Sequence, residues 1–172
     1  ARYGVRRHIS WSVHQALALL AQNAERAPML YGLLAQAFAA GTPVVLLTSD
    51  GALHRDLEPY AGAFEALVGA QELSHLRFCL EELRTPNLWG AEATARPLIV
   101  VDGLDSWLEA LVRQPDTENL LYDLLSQGCR RGYSVVFTSA LNPRGRFAAA
   151  AHSTLLSRRF LDADLMRSTS KD

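Results

Sequence analysis

The chain has 172 residues, long enough for one well-buried core and too short for two ordinary domains. Its 49% hydrophobic and 20% charged residues are the composition of a folded globular domain, not of a disordered tail. A formal charge of −1, with Lys171 the only Lys, gives no strong nucleic-acid signal and argues against holding nucleic acid by bulk electrostatics, and no apolar run approaches the roughly 20 residues of a membrane span.

The first residues, Ala-Arg-Tyr-Gly-Val-Arg-Arg, lack an initiator Met and a signal-peptide core, as expected of a piece of a longer polypeptide. Tyr3 to Val13 roughly alternates polar and apolar residues and reads as an entry strand. Ala16 to Ala21 is a short apolar run; its Ala and Leu suit a helix on propensity, and its place suits the strand that opens a sheet. A helix is predicted from Pro28 to Ala40, with Leu30, Leu33, Leu34, Ala37 and Phe38 on one stripe, Pro28 in its first turn and Gly41 at its end. Thr42 to Thr48 is a buried strand, followed by a polar turn at Ser49-Asp50-Gly51. Leu53 to Tyr60 and Ala61 to Val68 read as short helices around Pro59, and Glu72 to Leu83 as a longer one. Thr85 to Arg96 reads as a surface loop.

Pro97 to Trp107 is the centre of the chain. Leu98 to Val101 is apolar on both faces, as in a strand covered by helices on each side, and Asp102 and Asp105 stand at its carboxyl end. A helix begins at Ser106, Gln114-Pro115-Asp116 interrupts it, and Thr117 is placed to cap a second helix over Glu118 to Arg131. Ser134 to Ser139 is the third strong strand. A turn at Asn142 to Gly145 leads to a helix over Phe147 to Leu156, and Arg158 to Leu161 reads as an edge strand. Strands alternating with helices predict an α/β fold, a three-layer sandwich around a mostly parallel central sheet.

An Asp closing a buried strand is either the magnesium-side acid of a P-loop nucleotidase or a plain helix cap. The phosphate-binding partner decides between them. In P-loop proteins the first strand leads into GxxxxGK[ST] and a helix, where glycine backbone wraps the phosphates, Lys neutralises them and Ser or Thr holds magnesium. Here the eight residues Gln22, Asn23, Ala24, Glu25, Arg26, Ala27, Pro28 and Met29 fill that length. Gln22 and Ala27 replace the glycines, Pro28 replaces the Lys and removes a backbone donor, and Met29 replaces the hydroxyl residue. Glu25 brings an anion toward the phosphates, which Arg26 only partly offsets. The loop is expected to be disabled as a nucleotide site.

The Gln22–Met29 loop, Pro43-Val-Val-Leu-Leu-Thr48, Leu98-Ile-Val-Val-Asp-Gly-Leu-Asp105 and Gln127-Gly-Cys-Arg-Arg-Gly-Tyr-Ser-Val-Val-Phe-Thr138 together resemble the FtsK/SpoIIIE-type motor ATPases. The likeness is to the tandem modules of the type VII secretion subunit called EccC or EssC. It covers most of the chain, by pattern and order. It implies a P-loop NTPase (RecA/FtsK-like) architecture, with Asp102 at the Walker B position and Gly128, Arg130, Arg131 and Gly132 at the turn before a strand ending in Thr. Gly103 stands where a second acid often follows.

The resemblance implies a single degenerate ATPase-like domain over residues 1–172, a non-hydrolysing module of a type VII protein secretion motor. Such a module would be a soluble part of a larger membrane-anchored protein, on the cytoplasmic side of the membrane. Its partners would be neighbouring ATPase modules and secreted protein cargo, and it would bind no cofactor unless neighbours complete an ATP and magnesium site in trans. A RecA-like adaptor without nucleotide is the further alternative. Of Arg144, Arg146, Arg158 and Arg159, Arg144 on its turn is the candidate arginine finger, against the plainer reading of solvated surface Arg. Trp89 is the candidate partner contact, and Trp11 and Trp107 are expected in the core or at its rim. Ser10, Ser12, His14 and Asp50 lack the spacing of a hydrolase triad. Cys79 and Cys129 are expected as small buried apolar residues, and the scattered His residues offer no metal site.

Overall fold

The computed structural model describes residues 16–20, 23–86, 96–140, 143 and 145–148. Among the described residues five strands form one sheet: β1 (Leu17–Leu20), β2 (Val44–Thr48), β3 (Ala66–Gly69), β4 (Leu98–Asp102) and β5 (Ser134–Ser139). Their order is β1-β5-β4-β2-β3, and every pairing is parallel. β2 and β4 are buried along their whole length, which is why their sequences are continuous apolar runs rather than alternating ones.

Helices cover both faces. α1 (Asn23–Ala39) and α2 (Gly51–Leu57) press Leu30, Leu34, Leu53 and Leu57 against Val44, Leu46, Val100 and Val136. On the other face α3 (Leu73–Glu82), α4 (Leu104–Ala110) and α5 (Pro115–Gln127) pack Leu76, Leu80, Trp107, Leu121 and Leu124 against Val45, Leu47, Ile99, Val101 and Phe137. The result is a three-layer α/β fold of the Rossmann or P-loop-like kind. Trp107 is fully buried, and its indole N–H donates to the carbonyl of Leu47 at 3.2 Å. Cys79 and Cys129 are buried as expected; burial pushes the Cys79 thiol up to about 12 and raises Cys129, so both stay as inert thiols.

The structure corrects four expected elements. Ala66–Gly69 is an edge strand, not the end of a helix: Glu65 N–H donates to the Val44 carbonyl at 2.8 Å and brings the chain alongside β2. Four residues are too few to display a period, and only pairing with β2 separates strand from helix there. The segment before it, Glu58–Ala63, is a 3₁₀ turn that follows α2. α5 starts at Pro115, with Thr117 buried inside it rather than capping it. Pro suits that first position because its missing N–H would have no helical partner. Lastly, α1 starts at Asn23, not Pro28. It ends as expected: Gly41 takes φ 69° and the Thr42 N–H reaches back to the Ala37 carbonyl at 2.9 Å.

The strands expected at Tyr3 to Val13 and Arg158 to Leu161 lie outside the described residues, as does most of the helix expected at Phe147 to Leu156. Among the described residues no helix is long and apolar enough to cross a membrane.

Candidate functional site

The sheet order places β5 and β4 between β1 and β2, so successive strands β1 and β2 are separated and a crevice opens at the carboxyl ends. In register, Thr48 of β2 lies opposite Asp102 of β4, and Phe137 opposite Val101 puts Thr138 beside Asp102 on the other side. Three neighbouring strands therefore bring Thr, Asp and Thr to one level.

Asp102 is fully buried and held by three donors. Thr138 Oγ1 donates to its Oδ1 at 2.6 Å, and Thr48 Oγ1 to its Oδ2 at 2.7 Å. Arg26 Nη1 donates to the same Oδ2 at 2.7 Å. A carboxylate offers about four lone-pair sites, so most of its capacity is used inside the protein. The two threonines are themselves fixed: Thr138 Oγ1 accepts from the Gly103 N–H and Thr48 Oγ1 from the Asp50 N–H, at 2.9 and 3.1 Å.

Arg26 is 9% exposed and bridges a second acid, Asp50, through Nη2 at 2.5 Å. Burial by itself lowers its pKa; the attraction of Asp102 and hydrogen bonds to Asp50 and Asp102 outweigh that and raise it. Its Nε is buried and has no hydrogen-bond partner among the described residues. Asp50 caps α2, its Oδ1 accepting from the Ala52 and Leu53 amides at 2.9 and 3.3 Å. Partial burial raises its pKa, but the Leu53 amide, Arg26 and the Ala52 amide together hold it below the usual carboxylate range.

Gly103 follows Asp102 with φ 74°, and its carbonyl and that of Asp102 both accept from Ser49 Oγ at 3.1 Å. A Cβ at residue 103 would stand 2.0 Å from that hydroxyl. The glycine in place of a second acid thus has a geometric cause. Any side chain there meets both a left-handed backbone and Ser49.

Above this network lies a cleft of about 370 Å³ lined by Arg26, Ser49, Asp50, Gly103, Asp105, Ser106 and Ala140. Asp105, in the first turn of α4, is half-buried at its rim and does not join Asp102 in the network. The cleft and the acid beneath it carry three carboxylates against one guanidinium, a balance that repels anions. Among the described residues no group of His, Cys, Asp and Glu is arranged to hold a metal ion.

Of the eight residues expected as a disabled phosphate loop, the seven that are described are helix. Gln22 lies outside the described residues, and Asn23 through Met29 form the first two turns of α1, running straight through an exposed Pro28. Only two residues separate the last residue of β1 from the first of α1. Of the seven described positions, only Arg26 enters the network at Asp102. The candidate arginine finger Arg144 and the candidate contact Trp89 lie outside the described residues; Arg146 pairs with Glu118 at 3.0 Å and stacks over Tyr122.

Thr48, Thr138, Ser49 and Asp50 complete the site; from sequence the first three only close strands or turn the chain, and Asp50 is a turn residue without the spacing of a catalytic triad. The available signal was two strands ending in Thr beside one ending in Asp. No protein-family model matches this chain, and no curated protein does either.

Proposed function

We propose that this domain is a non-hydrolysing module built on a P-loop NTPase (RecA/FtsK-like) fold, serving a type VII protein secretion motor through structure, regulation or cargo contact. One observation carries the reading. Where a phosphate loop would stand between β1 and α1 there are two residues, and the cation from the helix that follows, Arg26, has its guanidinium bound to the strand-end acid at the floor of the cleft rather than left unpaired for a phosphate.

A magnesium nucleotide does not fit these residues. A cradle needs several consecutive backbone N–H groups from a glycine-rich loop. Here Asn23–Met29 are already helical, with Glu25 in the first turn of α1. Magnesium needs a carboxylate oxygen with a free approach, yet both oxygens of Asp102 are engaged at 2.6–2.7 Å in a fully buried position. Completion by a neighbouring module would first require Arg26 to leave two carboxylates.

The secretion assignment rests on the order of sequence patterns and on a charge of −1, which suits protein cargo better than a nucleic-acid track. On this reading the domain works at the cytoplasmic side of a membrane beside sister modules of its parent chain.

Calorimetric titration with ATP and magnesium tests the first part. No binding tighter than about millimolar is expected; micromolar affinity that disappears in Asp102→Ala would overturn it. Flanking sequence tests the second part. Adjacent P-loop modules and a membrane span are expected there, and a complete short reading frame around this segment would leave the adaptor reading in its place.

A further inference from the structure

The acid pair beneath the cleft is shaped for one kind of cation. Asp50 and Asp102 each present Oδ2 to a different terminal nitrogen of one guanidinium, at 2.5 and 2.7 Å. A planar fork bridges two carboxylates in this way; an ammonium or a metal ion meets them as a point charge.

Neither carboxylate depends on Arg26 for its position. Asp102 is fixed by the hydroxyls of Thr48 and Thr138, and Asp50 by the amides of Ala52 and Leu53 and by its own N–H on Thr48. The site would therefore persist if the guanidinium were taken away. Arg26 also lines the cleft of about 370 Å³, so its truncation would open the pair to solvent by that route.

We propose that Asp50 and Asp102, with Thr48 between them, form a guanidinium-binding site which the chain fills with its own Arg26. Emptied of that side chain, it takes guanidinium-class cations from solution in preference to metal ions. In the native protein Arg26 is the resident ligand, tethered at an effective concentration no free cation matches. The proposal stands on these side chains alone, not on the secretion-module reading.

The test is thermal unfolding of Arg26→Ala in about 10 mM guanidinium chloride, far below the molar concentrations that denature. Sodium chloride and magnesium chloride at equal ionic strength are the controls. Arg26→Ala is expected to lower Tm by about 10 °C, because a buried carboxylate loses its cation. Guanidinium is expected to recover about 3 °C or more of that loss, and to leave the native protein unmoved. The recovery should vanish in Arg26→Ala/Asp102→Asn. Absent recovery, equal or larger recovery with magnesium or sodium, or recovery that survives Asp102→Asn overturns the proposal. Should Arg26→Ala not fold, the double variant decides. A folded double variant supports a site whose unpaired charge was the obstacle, and an unfolded one overturns it.

Discussion

Gly103→Ala isolates the geometry at the end of the central strand. Two costs are separable. A non-glycine residue at φ 74° costs about 1–2 kcal/mol. The new Cβ would also stand 2.0 Å from Ser49 Oγ, so the hydroxyl must swing away from the carbonyls of Asp102 and Gly103. Those carbonyls share one hydroxyl, and the Asp102 carbonyl keeps the Ser49 amide at 3.0 Å, so the loss is about 1 kcal/mol rather than a stranded acceptor. The sum is about 2–3 kcal/mol. Ser49→Ala alone should cost about 1 kcal/mol. The double variant should cost no more than Gly103→Ala alone, because the clash disappears with the hydroxyl and Ser49 Cβ lies at an ordinary 3.4 Å. Urea unfolding of the three variants measures all of these terms. Additive single effects, or a Gly103→Ala variant within about 0.5 kcal/mol of the parent, would refute the account of why glycine follows the acid.

Asp50 gives a pH signature. Its pKa is lower in the fold than in the unfolded chain, so its stabilisation is complete above the unfolded value of about 4 and is lost as pH falls through the folded one. Asp50→Asn keeps a capping oxygen and removes the charge; its deficit against the parent should be flat from about pH 7 to 5 and shrink in acid, and a deficit that persists unchanged to about pH 2 would contradict the pairing with Arg26. Trp107→Phe should cost about 2–3 kcal/mol in chemical unfolding, from a cavity beneath the sheet and a lost donor to the Leu47 carbonyl. A cost below about 0.5 kcal/mol would place the indole outside the core.

The centre of this protein is legible in its residues alone. Val44–Leu47, Leu98–Val101 and Val135–Phe137 are short, rich in Val or other β-favouring residues and apolar without alternation, the pattern of a strand buried on both faces. It also marked Asp102 as the acid at the central strand's end, and the Gln22–Met29 stretch as lacking phosphate chemistry. Other features depend on contacts that local pattern cannot carry. Ala66–Gly69 became a strand because β2 offered it an open edge. Asn23–Met29 joined α1, although Pro28 argues locally for a later start, while Leu30 and Leu34 pack that helix on the sheet. Above all, the partners of Asp102 stand 76, 54 and 36 residues from it in the chain. Parallel register, a relation between strands that no single segment contains, brings the two threonines to the acid. α1, packed over the sheet, delivers Arg26 to the same point.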